Sequence, residues 1–153
     1  MQVNSFNEMY ISEFQEARSF EAQLIRALPD MIDKAGDPDL KQALKTHQSE
    51  TRGHLEHVTE ILRRHEASLE EHKDHSMERL LSEADKWADM IEDRDQRDAG
   101  IVASAQRIEH YEMAVYGTLA AWAKQLGLGE DGAEHVGHGE GGISSSEGAA
   151  FVD

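Results

Sequence analysis

Four glutamates and two histidines fall at spacings that can bring them into one layer of a helical protein, where they could hold a pair of metal ions. Glu50 lies three residues after His47 and four before His54, and on a helix those spacings share one face. Glu109 and Glu112 are three apart and share a face in the same way. Glu21 stands 15 residues before Gly36 and Glu50 stands 14 after it. If the chain turns at Gly36, both glutamates sit roughly 22 Å along an antiparallel hairpin, at one height. Carboxylates bridge hard or borderline cations, and imidazole fills terminal positions. The four charges of Glu21, Glu50, Glu109 and Glu112 would balance two divalent ions. Without ions, buried carboxylates repel and lose solvation, and must protonate or stay wet. The plainer alternative is a wet acidic seam, with His47 and His54 bonded to carboxylates rather than to metal.

The elements that must position these residues are helices. Glu, Ala, Leu, Gln, Lys and Arg dominate up to Leu126, all good helix formers, and the apolar period is helical rather than alternating. A first helix is expected from about Ser5 to Ala35, with Phe6, Tyr10, Glu13, Ala17, Phe20, Leu24, Leu28 and Met31 inward and a kink at Pro29. Gly36 ends it, and Asp37 with Pro38 opens the next. The second helix should run to about Glu70 along Leu40, Leu44, His47, Thr51, His54, Val58, Ile61 and His65. A shorter helix over 76–92 should bury Leu80, Leu81, Ala84, Trp87, Ala88 and Ile91, and a last one over 96–126 should bury Ile101, Val102, Ala105, Val115, Tyr116, Leu119 and Trp122 beside the two glutamates. Tyr116, four residues after Glu112, reads as a core tyrosine that is also within reach of a ligand. His57, His65, His72 and His75 read as a solvated face, and His110 points off the seam.

Composition narrows the function classes. The chain has 153 residues, 31 acidic and 15 basic side chains, a net charge of −16 and no cysteine. Disulfides and thiolate chemistry are thereby excluded, and the charge argues against nucleic acid. The N-terminus lacks a secretory pattern, and no apolar run approaches the about 18 residues of a membrane span; the expected location is the cytoplasm. Eight of the twelve glycines lie in residues 127–153. Residues 1–128 are thus read as one helical domain, and 129–153 as a flexible acidic Gly/Ser/His-rich tail.

Three segments resemble the YciE/YciF-like proteins of the ferritin-like superfamily: YISEFQEARSFEAQLIRALPDM (10–31), DPDLKQALKTHQSETRGHLEHV (37–58) and RDAGIVASAQRIEHYEMAVYGTLAAWAKQLGL (97–128). The run from Gln106 to Glu112 with Tyr116 and Gly117 is the most specific. The resemblance implies an all-α, ferritin-like bundle of three long helices and a short one, related to di-iron proteins, in a stress-associated bacterial protein that dimerises. It places Glu21, the His47–Glu50–Thr51 face, Glu109 and Glu112 at the acidic positions of a two-ion site for iron or manganese, with His54 as a further candidate. Two departures stand out. The second helix carries His-x-x-Glu and Glu-x-x-x-His in place of Glu-x-x-His, and the family's acidic fourth bundle helix gives way to glycine-rich sequence after Leu128. Loss of that helix should leave Phe6, Leu24, Val58, Leu119 and Trp122 partly wet and favour self-association. The reading from another class is therefore a non-enzymatic bundle acting by self-association or partner binding.

Overall fold

The structure, a computed structural model, describes residues 2–70 and 72–136. Helix α1 (Phe6–Lys34) starts where the Ser5 side chain accepts the Glu8 N–H, and it continues unbroken through Pro29. Helix α2 (Pro38–Arg64) starts at Asp37, whose carboxylate accepts the N–H groups of Asp39 and Leu40. Asp74 caps α3 (His75–Met90) and Asp93 caps α4 (Arg94–Leu126) in the same manner. Each cap satisfies backbone donors that a helix cannot pair internally. At the far end of α4, Gly127 takes the left-handed conformation (φ 71°), and the Leu128 N–H bonds the Ala123 carbonyl, a Schellman ending.

The helices alternate up and down. Lys34 at the top of α1 pairs with Asp85 and Asp89 near the end of α3. Asp98 at the start of α4 accepts the N–H groups of Gly36 and Asp37 at 2.7 and 2.8 Å, tying the α1–α2 turn to α4. A Cβ at Gly36 would lie 2.0 Å from the Arg94 side chain, which would have to move aside. Helix α1 packs on α2, α3 and α4, and α3 packs on α4. The shared core runs through Phe14, Phe20, Leu24, Leu44, Ile61, Ile108 and Leu119. Among the described residues no helix is long and apolar enough to cross a membrane.

Several elements differ from the sequence expectation. Helix α2 ends at Arg64 rather than near Glu70: Glu66 turns left-handed (φ 54°), and the reversed chain offers the carbonyls of Ser68 and Leu69 to Gln15 and Arg18 of α1. Trp87 is 45% exposed, not core. Helix α3 buries Met77, Ala84 and Ala88, and a residue one before Ala88 points about 100° away. Phe14, not Glu13, is fully buried on α1. Leu24, Val58 and Leu119 are buried rather than wet, while Phe6 and Trp122 are half-buried and meet edge to face at 5.6 Å.

The segment expected to be a tail from residue 129 is folded as far as Val136. It makes two 3-10 turns, Gly129–Asp131 and Ala133–His135, and adds Ala133 and Val136 to the core. Asp131 is buried and accepts the Tyr10 hydroxyl at 2.7 Å, with His65 Nε2 2.8 Å away on the same oxygen. Arg64 donates to the Glu130 carbonyl, and His57 Nε2 lies 3.0 Å from the Asp131 carbonyl. His57 and His65 therefore hold this segment instead of forming a solvated face. Glycine-rich composition concealed this, since the segment's apolar residues are few and its polar anchor is the single side chain of Asp131. The rest of the expected tail, 137–153, lies outside the described residues. Asp131→Ala would leave the buried Tyr10 hydroxyl unpartnered, a cost of about 1–3 kcal/mol. Amide exchange over 129–136 is expected to lose its protection in that variant; unchanged protection would show that the apolar contacts alone hold the segment.

Candidate metal centre

Each helix of the centre brings its side chains inward for a local reason. Glu21 follows Phe20 and precedes Leu24 on the buried stripe of α1, and is itself 0% exposed. On α2, His47 and Thr51 are buried and His54 is half-buried. The Thr51 hydroxyl donates back to the His47 carbonyl at 2.8 Å. On α4, Glu112 is buried, one turn before the buried pair Val115 and Tyr116. These stripes face one another, so the polar residues they contain meet.

The six residues singled out by spacing lie together. Single ligand atoms of Glu21, His54 and Glu112 all come within 4.8 Å of one another. His47 Nδ1 lies 3.9 Å from Glu50 and 3.8 Å from Glu109, and its Nε2 lies 3.8 Å from Glu112. His54 Nδ1 is 3.4 Å from Glu21. The inner members are Glu21 and Glu112; Glu50 and Glu109, with side chains 23% and 14% exposed, form the outer edge. Tyr116 donates its hydroxyl to Glu21 Oε1 at 2.6 Å, so it is both a core tyrosine and the orienting partner of that carboxylate. His110 is exposed and bonds the Gln106 carbonyl, away from the layer.

What the layer lacks is internal satisfaction. Glu21 Oε2, both ring nitrogens of His47, His54 Nδ1 and Glu112 Oε1 are buried without a hydrogen-bond partner. Buried polar atoms are rarely left so, and five in one layer mark a site shaped for something positive. The atoms are carboxylate oxygens and imidazole nitrogens, the donor set of divalent first-row metals. This chemistry fits a divalent metal ion held by Glu21, His54 and Glu112.

Electrostatics agrees. Burial disfavours the charged form of Glu112 and pushes its carboxyl up to about 7, against the opposing pull of His47. Burial alone would lower His47, but Glu112, Glu109 and Glu21 outweigh it and the net shift is upward. His54 is likewise raised, Glu21 and Glu112 outweighing burial. Burial, then Glu21, holds the Tyr116 hydroxyl far above its usual range, so it stays a donor. All three shifts of Glu112, His47 and His54 mean that the folded, metal-free chain holds protons the unfolded chain would release. The contribution of these three groups to stability is then greatest below the ordinary glutamate range and falls as pH rises through the shifted values. The melting temperature of metal-free protein is expected to drop by several degrees between about pH 5 and about pH 8, and Glu112→Gln should flatten that slope. A melting temperature that rises over this interval, or an unchanged slope in the variant, would contradict the assignment.

Three comparisons bear on the chain as a whole. Residues 5–135 match the family model described as Domain of unknown function (DUF892). Protein YciF of Escherichia coli (strain K12) is 34% identical over 128 residues, covering 83% of this chain and 77% of that protein. Among solved structures, YcfI from Rhodopseudomonas palustris superposes with a TM-score of 0.84 at 30% identity, covering 98% of this chain and 94% of its own. The crystal structure of the E. coli stress protein YciF superposes with a TM-score of 0.83 at 30% identity, covering 97% and 91%.

Proposed function

The chain belongs to the DUF892 family of YciF-like proteins, and we propose that it is a ferritin-like metal protein whose Glu21, Glu50, Glu109, Glu112, His47 and His54 hold two divalent ions, iron or manganese. The observation that carries this reading is the set of five buried, unpartnered oxygen and nitrogen atoms converging on one layer. Four carboxylates neutralise two divalent charges, and ions in the layer remove the repulsion that otherwise forces protonation. When bound, redox-active ions supply one-electron steps toward an oxidant such as dioxygen or peroxide. The chain's own residues do the rest. Tyr116 engages Glu21 Oε1 and leaves Oε2 facing the layer. Glu50 and Glu109, at the exposed edge, receive cations from solvent, and a net charge of −16 raises the cation concentration around them. Asp131, the buried acid after α4, is engaged by Tyr10 and His65 at the end of the bundle and completes no ligand set. By its likeness to the stress protein YciF, the chain is assigned to a stress response.

Elemental analysis of protein purified without chelator, then supplied with ferrous or manganous salt, tests this reading. Two ions per chain are expected, falling to one or fewer in Glu112→Ala. Tyr116→Phe should weaken binding by roughly tenfold, the usual effect of losing a group that orients a ligand. Failure to bind either metal would overturn the proposal.

Self-association is supported by a separate observation. Trp87 and Met90 of α3 are 45% and 62% exposed, and Trp87 lines a shallow groove with Leu80 and Tyr111. Trp87 is the kind of aromatic that anchors interfaces. We therefore propose a dimer through this face. Sedimentation should show a dimer at micromolar concentration and a monomer for Trp87→Lys; a monomeric parent chain would refute it.

A further inference from the structure

A second site lies apart from the carboxylate layer. A cavity of about 160 Å³ opens between α1, α3 and α4. Its walls are the small residues Ala27, Ala84 and Ala88, closed by Met31, Leu81 and Ile101. Facing alanines leave the void, because no side chain on three adjoining helices is long enough to fill it. On the inner wall stands one polar residue, Ser104, which is 4% exposed and whose hydroxyl makes no hydrogen bond to any described residue. A serine on a helix commonly bonds the carbonyl one turn back, as a hydroxyl does at Thr51 and at Thr118. Ser104 does not, so its hydroxyl is available to a guest.

The surroundings select the guest. The inner wall is apolar apart from Ser104, and an apolar cavity of about 150 Å³ is known to admit benzene. The mouth carries Asp30, Lys34 and Asp85. The Lys34 ammonium is already shared by Asp30, Asp85 and Asp89 at 2.9, 2.6 and 2.8 Å, so the mouth is net negative and repels anions. We infer that this cavity binds a small uncharged molecule of about benzene size that carries one hydroxyl, with Ser104 as its hydrogen-bond partner. Ser104 lies five residues before Glu109 and eight before Glu112, roughly 8–12 Å along α4. The cavity shares no residue with the carboxylate layer, and its occupancy does not depend on metal.

Phenol, benzene and benzoate are the probes, titrated into the full-length metal-free chain and followed by amide NMR shifts. Phenol is expected to produce saturable shifts at Ala84, Ile101 and Ser104, benzene weaker ones and benzoate none. Ser104→Ala should weaken phenol about three- to tenfold, the worth of one hydrogen bond, and leave benzene unchanged. Ala84→Leu should fill the void and abolish both. No saturable shift at these residues, equal phenol binding in Ser104→Ala, or binding that survives Ala84→Leu would each overturn the assignment. If Ala84→Leu fails to fold, the Ser104→Ala comparison decides alone.

Discussion

Mutual repulsion among four carboxylates in one partly dry layer is the constraint on which the rest of the structure depends. Glu21 and Glu112 are buried, His54 lies beside Glu21, and His47 stands among Glu112 and the outer pair Glu50 and Glu109. Two imidazoles cannot neutralise four carboxylates, and among the described residues no lysine or arginine is paired with the inner two. Burial without neutralisation is costly, so the layer holds together only by taking up protons or metal ions. The raised proton affinity of Glu112 is the protein's response when protons alone are available.

Because the layer contributes little cohesion of its own, the helices are pinned above and below it. At the upper end, Asp98 clasps the α1–α2 turn to α4. At the lower end, Asp131 joins Tyr10 of α1 and His65 of α2 to the segment following α4. Between them, Asp74 caps α3, accepts the Tyr111 hydroxyl of α4, and has its own backbone bonded by Ser19 and Gln23 of α1. Each of these aspartates is buried and accepts hydrogen bonds from more than one element or residue. They differ in this from Glu21 and Glu112 of the layer, each of which keeps one buried oxygen without a hydrogen-bond partner.

The two ends also divide the labour of the short elements. Helix α3 presents small residues inward, which allows close packing on α1 and α4 but leaves the alanine-lined cavity and turns Trp87 to solvent. The residues after α4 cover apolar core with two turns, using Ala133 and Val136.

Helix existence, the order of helices and the meeting of the six ligand candidates were legible in the sequence. Those properties depend on rise per residue and on the three-to-four spacing, which are the same in any helix. Given a turn at Gly36, Glu21 and Glu50 have to stand at one height whatever packs around them. The inventory of buried acids was not legible. Asp98 meets Gly36 from 62 residues away, and Asp131 meets Tyr10 from 121 residues away. Nothing local separates these aspartates from the exposed acids around them. The same holds for Ser104, a polar residue among apolar ones that the helical period alone would not mark. Whether an acid caps, clasps or stays in solvent is decided by which distant donor reaches it, and that is settled only when the helices pack.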